Sequence, residues 1–231
     1  MAAQSTWHAL SAFQIFGDHV PMAGFTLVVR LLVDRGAADT TLGQRARYQP
    51  PLDPAFAVAT MRAGLGLIQS GMLSFVYANT EECVAVLRRD VVGDVGQSLV
   101  VHDHLVSEFA GRLSLLIGQP IAVCGQIYEF PDVGVVRKAF RACVDEFEQS
   151  TPHRSATRLG AQLLGRGQPF HASMVETIEE QTHLLQQAGI DMDSLPSWWW
   201  RGIAARMPTP DSGIELWSEL PATDALVGLI A

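Results

Sequence analysis

Two adjacent glutamates, Glu81 and Glu82, raise the question of chemistry in this chain. They lie in YANTEECVAVL, residues 77–87, between two runs that suit buried strands. Asn79 and Thr80 ahead of them are turn formers, so the acids fall at a hairpin tip or a strand start. Two readings follow. The pair holds a ligand, or it keeps a sheet edge wet as charged gatekeepers. Strict alternation puts Glu81 on the face of Cys83, Ala85 and Leu87, and Glu82 on the other. Other residues invite chemistry too. Arg35-Gly36 could cradle a phosphate, although one glycine is a weak signal. His102-Asp103-His104 invites a metal reading. On a helix, however, positions i and i+2 face apart, so a solvated helix start is expected there. Trp198-Trp199-Trp200 suits either base stacking or packing.

The bulk of the chain narrows these options. Its 231 residues are 48% apolar, enough for one large core or two small ones. A net charge of −8 argues against a strong non-specific grip on nucleic acid, which needs a basic surface. Arg30 interrupts the best apolar run, so no membrane span is expected. The start, Met1-Ala2-Ala3-Gln4-Ser5, lacks the basic opening of a signal peptide. Cys83, Cys124 and Cys143 form no CxxC and leave an odd count, which supports neither a zinc knuckle nor a disulfide framework. A cytoplasmic location is expected.

The elements that would position these residues are legible in outline. FTLVVRLLVD, residues 25–34, reads as a strand with Arg30, Leu32 and Asp34 on one face and Val29, Leu31 and Val33 on the other. After a polar loop, Asp53-Pro54 opens a helix to about Gly71, with Val58, Met61, Leu65 and Ile68 as its apolar stripe. The hairpin around Glu81 follows. Residues 93–117 suit a second helix, 121–130 another strand and 133–149 a third helix, with Ser150-Thr151-Pro152 as a break. Two further helices are expected over 154–165 and 172–188, the second ended by Gly189. The pattern predicts an α+β fold: a palm-like, ferredoxin-like and mainly antiparallel sheet covered by helices, with C-terminal helices. One domain is expected over 1–210, with an irregular tail over 211–231.

Joined in order from about residue 13 to 203, these segments resemble the tRNA-histidine guanylyltransferase family in its shorter, bacterial-type form. FQIFGDH (13–19) looks like the family's N-terminal segment, and VVRLLVDRG like its V-x-R-I-D-G-R strand. YANTEECVAVL matches its Y-x-Q-S-D-E hairpin, and HRSAT (153–157) its H-R-N-A-L. GIDMDSLPSWWWRGI (189–203) is the most specific match.

The resemblance implies a palm that adds nucleotides to RNA 5′ ends in the 3′-to-5′ direction with two metal ions. It implies Mg²⁺ as cofactor, GTP as nucleotide and a tetramer or dimer as assembly. Glu81 stands at the hairpin metal position, and His153 at the nucleotide-handling histidine, although a lone His near a helix start is as often a cap or surface group. Arg35 and Gly36 follow the strand that carries the other metal position. That position holds Leu32, which cannot coordinate a metal. Asp34 lies about 6.6 Å further along the strand, so it takes the role only through a bulge, and loss of the ligand is the favoured expectation. The family's W-R pair reads Ala142-Cys143, its D-x-R reads Cys124-Gly125-Gln126, and a lysine reads Gln181. These replacements remove cations that would meet triphosphate and tRNA. The expectation is a divergent homologue with an eroded two-metal site that no longer guanylates tRNA, either a pseudoenzyme or a repurposed nucleotidyltransferase, with weak tRNA binding. Two alternatives stand beside it. One is an active Mg²⁺-dependent 3′-5′ nucleotidyltransferase working through Glu81 and Asp34. The other is a small-molecule biosynthetic enzyme that uses the pocket without metal.

Overall fold

A computed structural model of the chain describes residues 6–17, 19–33, 54–91, 98–165, 177–209 and 211–230. Asp34, Arg35 and Gly36 lie outside the described residues. Seven strands form one antiparallel sheet: β1 (Gln14–Ile15), β2 (Thr26–Val33), β3 (Leu73–Ala78), β4 (Glu82–Leu87), β5 (Val123–Phe130), β6 (Ile203–Arg206) and β7 (Glu215–Trp217). Their order is β1-β5-β2-β4-β3-β6-β7. The helices are α1 (Thr6–Ala9), α2 (Pro54–Gly66), α3 (Ser98–Ile117), α4 (Val133–Gly165), α5 (Ile178–Gln187), α6 (Ser197–Arg201) and α7 (Thr223–Gly228). The run β2-α2-β3-β4-α3-β5, with β5-β2-β4-β3 at the centre of the sheet, is the ferredoxin-like pattern expected of a palm. Among the described residues no helix is long and apolar enough to cross a membrane.

Strand alternation builds two cores. Leu27, Val29, Leu31 and Val33 of β2 join Cys83, Ala85 and Leu87 of β4 under α2 and α3. Val28, Val84 and Val86 join Tyr77, Tyr128 and the Val136, Phe140 and Cys143 stripe of α4 on the opposite face. Burial of both faces explains why the central strands carry few polar residues. The register of β2 against β5 runs unbroken from Thr26 to Val33, so this stretch carries no bulge. At the other side of the sheet, Gly202 joins α6 to β6 at φ 78°, and a Cβ there would meet the Ala78 carbonyl at 2.6 Å. Only glycine fits both demands, and this explains one residue of the WWWRGI run.

Several expectations need correction. The apolar stripe of α2 does not include Val58, which is exposed; Phe56, Ala57, Thr60, Met61, Ala63 and Gly64 are buried instead. The helix ends at Gly66 and a 3-10 turn, Leu67–Ser70, completes the connection. Ser150-Thr151-Pro152 does not break the chain, because α4 runs through it to Gly165. Pro152 cannot donate a backbone hydrogen bond, and side chains of the same turn bond carbonyls just ahead of it. Ser150 Oγ donates to the Glu146 carbonyl at 2.5 Å, and Thr151 Oγ1 and Arg154 Nη2 donate to that of Phe147 at 2.7 and 2.9 Å. Nor is the tail irregular. It supplies β7 and α7, buries Leu226, Val227 and Ile230, and is pinned by Arg137, which donates to the Ile230 carbonyl at 2.7 and 3.0 Å. Strands of three residues and helices of six carry too little periodicity to be read from sequence.

Candidate functional site

Asn79 builds the turn that aims both glutamates. Its Oδ1 accepts the backbone N–H groups of Glu81 and Glu82, each at 2.9 Å, and its own N–H donates to the Glu82 carbonyl at 3.0 Å. This side-chain turn is the mechanism behind the Asn-Thr signal. Glu81 therefore precedes β4 and escapes strand parity. It does not join the face of Cys83, as alternation implied. Its carboxylate reaches Arg154 of α4, with Oε1 3.6 Å from the guanidinium Nε. Both glutamates thus line one cavity, about 280 Å³, between the α4 face of the sheet and α4 itself, with Leu32 and Arg30 also in its wall.

Glu82, the neighbour assigned to no role by sequence, is the more embedded of the pair. Arg30 Nε donates to its Oε2 at 2.6 Å, with side chains only 17% and 10% exposed. The Cys143 thiol donates to its Oε1 at 3.3 Å. Burial, helped by the Glu82 charge, pushes the Cys143 thiol well above its ordinary range, so it stays protonated and inert as a nucleophile. Burial likewise raises the Tyr77 hydroxyl, with the Glu82 charge adding to it. Arg30 is held on two further sides. Its Nη1 donates to Gln126 Oε1 at 3.2 Å, the Tyr128 hydroxyl donates to the same oxygen at 3.1 Å, and the Trp7 ring covers the guanidinium at 4.9 Å. Helix α1 thereby closes one side of the cavity, tied down by the Thr6 N–H on Glu146 Oε2 at 2.7 Å.

The structure brings together positions that the motifs selected separately. Arg30 meets Gln126, Glu82 meets Cys143, and Glu81 meets Arg154. His153, beside Arg154, is exposed and faces α5 rather than the cavity wall; its Nδ1 lies 3.0 Å from Gln181 Nε2. Of the Trp run, Trp199 is buried, and Trp198 and Trp200 pack against the α2/α3 core, which favours packing over stacking. His102 pairs with Asp103 at 2.9 Å and His104 with Glu108 at 3.5 Å, each locally. Among the described residues, no group of three or more His, Cys, Asp or Glu is placed to hold a metal ion. Glu82 carried a readable signal after all: in a hairpin tip with an Asn two or three residues ahead, parity starts only after the turn.

Neither a protein-family model nor a curated protein sequence matches the chain. Solved structures do match. A tRNA(His) guanylyltransferase from Saccharomyces cerevisiae superposes with a TM-score of 0.65 at 12% identity, over 91% of this chain and 96% of that one. A bacterial tRNA(His) guanylyltransferase (Thg1)-like protein in complex with ATP gives 0.68 at 13% identity, over 97% and 96%. The like-named bacterial protein in complex with GTP gives 0.61 at 13%, over the same 97% and 96%. With its sheet order, flanking helices and near-complete coverage, the chain has the fold of the tRNA(His) guanylyltransferases, bacterial Thg1-like proteins included.

Proposed function

We propose that this protein is a divergent relative of the tRNA(His) guanylyltransferases in which the palm is retained and two-metal nucleotidyl transfer is not. The observation that carries this reading is the direct pairing of Leu32 with Glu82 across β2 and β4. A leucine wall there leaves an apolar side chain where the resemblance calls for a metal-binding carboxylate. The same reading makes Mg²⁺ dispensable and tRNA a weak partner at best. It keeps a nucleotide as the class of ligand for the cavity, supported by fold relatives in complex with ATP and GTP. Assembly into a homo-oligomer and a cytoplasmic setting belong to the proposal as well, by the same resemblance.

The test is an extension assay with labelled GTP, Mg²⁺ and tRNA lacking its 5′ guanylate. No addition above a blank is expected. Addition that disappears in Glu81→Ala establishes the active-enzyme alternative instead.

A further inference from the structure

Helix α1 is a single turn, Thr6–Ala9, and a helix that short does not hold itself in water. Trp7 is its one buried residue. What holds it down belongs to the cavity wall. The Thr6 N–H donates to Glu146 Oε2 at 2.7 Å, and the Trp7 ring covers the Arg30 guanidinium at 4.9 Å. The same ring lies tilted against Tyr128, also at 4.9 Å. The chain just beyond is anchored in another way. Phe13 packs on Phe130 at 5.1 Å, and Gln14 and Ile15 of β1 pair with β5. Leu10 is the joint between the two. Its N–H closes α1 on the Thr6 carbonyl, and its own carbonyl accepts the Phe13 N–H of the next 3-10 turn. The docked position also carries a cost. Trp7 Nε1 is buried with no hydrogen-bond partner among the described residues, whereas water would satisfy it.

We infer that α1 is a displaceable strap, hinged at Leu10, whose Trp7 indole holds the place of a ligand's aromatic ring over Arg30. For the ligand, a nucleobase, the inference rests on the proposed nucleotide reading of the cavity, and it names the part of the nucleotide that displaces the strap. The geometry of Arg30 suits such an exchange. Its N–H groups bond Glu82 and Gln126, while the ring covers the guanidinium. A guanidinium binds a ring on its planar face and carboxylates or amides through its N–H fork, so one ring can replace another with those hydrogen bonds kept. The charge of the wall points the same way. Glu81, Glu82 and Glu146 stand there against Arg30 and Arg154, an excess of one carboxylate over the guanidiniums. That balance suits an uncharged base at Arg30 better than a phosphate. Base stacking on side chains is also tolerant of base identity, so the slot itself does not choose between purines.

The three cysteines report on the strap without any ligand. Cys124 is exposed, Cys83 is buried in the α2/α3 core, and Cys143 is buried in the cavity wall that Trp7 shares. A small methanethiosulfonate reagent, located by peptide mass under native conditions, should modify Cys124 at once, Cys143 slowly and Cys83 last. Thr6→Pro removes the N–H on Glu146, and proline is tolerated at a first helical position. Thr6→Pro and Trp7→Ala should each speed Cys143 modification about tenfold, as the loss of a charge-assisted hydrogen bond or of a buried anchor would, and leave Cys83 unchanged. Cys143 and Cys83 accelerating together, or Cys143 unmoved in both variants, overturns the inference. Guanosine and GTP should also speed amide hydrogen exchange over residues 6–9 of the wild type, and inorganic triphosphate should not. Binding of guanosine or GTP that leaves this exchange unchanged overturns the inference, as does triphosphate acting as strongly as guanosine. If neither guanosine nor GTP binds the wild type or Thr6→Pro while Cys143 responds as expected, the nucleotide reading of the cavity fails and the strap stands.

Discussion

Leu32 of β2 and Glu82 of β4 are direct cross-strand partners. Side chains so placed are about 5 Å apart at Cβ. The apolar surface of one therefore lies against the carboxylate stem of the other, and the charge of Glu82 depends on what Arg30 and Cys143 supply.

Removing Arg30 should destabilise the fold strongly. Arg30→Met leaves Glu82, 10% exposed at its side chain, with only a thiol for company. Truncating one partner of such a pair costs about 3–5 kcal/mol when burial is full, and about half of that is expected here because solvent still reaches both groups. Arg30→Met with Glu82→Leu should recover most of the loss. Urea unfolding of the single and double variants checks this, and a double variant no better than the single rejects the pair as the source.

Stability should fall at alkaline pH. Burial raises Cys143, Cys83 and Tyr77 above their ordinary values of 9.0, 9.0 and 10.0. The folded state therefore keeps protons that the unfolded state releases, and stability decreases with rising pH above about 9. Below that value the contribution is fully present. Urea midpoints measured from about pH 8 to 10.5 should decline, less steeply in Cys143→Ala than in the wild type. A flat profile contradicts the burial of these groups.

Binding of tRNA should be weak and salt-sensitive. The net charge is −8, and Gln126 and Gln181 stand at motif positions where the resembled family carries cations. Nucleic-acid affinity follows released counterions, so few cations mean little binding at physiological salt. Filter binding across a salt series is the check, and tight binding that persists at high salt contradicts it.

Much of the fold was legible from particular residues. Alternation in FTLVVRLLVD assigned Arg30 and Leu32 to one face and Val29, Leu31 and Val33 to the other, as observed. The neighbouring of that strand and the Glu81 hairpin, expected from the resemblance, appears as the β2–β4 pairing. Sequence failed where specific side-chain contacts overrule general propensity rules. Pro152 reads as a breaker, but Thr151 and Arg154 side chains occupy the Phe147 carbonyl and the helix continues. Glu81 reads as a strand residue, but Asn79 holds it in a turn and redirects it to Arg154. The Arg30–Glu82 contact joins residues 52 positions apart, and no local pattern encodes such a distance.

Restoring a carboxylate at position 32 should restore metal affinity. Leu32→Asp places an acid beside Glu82 in the cavity wall, giving four carboxylates against two guanidiniums with Glu81 and Glu146 counted. The excess negative charge favours a divalent cation, and aspartate is short enough to act from the strand without displacing the Arg30–Glu82 pair. Leu32 is only part-buried, so the stability cost should stay near 1 kcal/mol. Calorimetric titration with Mg²⁺ and GTP should show affinity about tenfold tighter than wild type, equivalent to about 1.4 kcal/mol. Leu32→Asp with Glu81→Asp should gain further, since the shorter acid draws the ligand back toward the position that the resembled family uses. Micromolar, Mg²⁺-dependent GTP binding by the unaltered protein makes Leu32 irrelevant to metal uptake and returns nucleotidyl transfer to the leading place. Equal, weak binding by wild type and variant shows instead that the missing acid at position 32 is not what limits cation uptake.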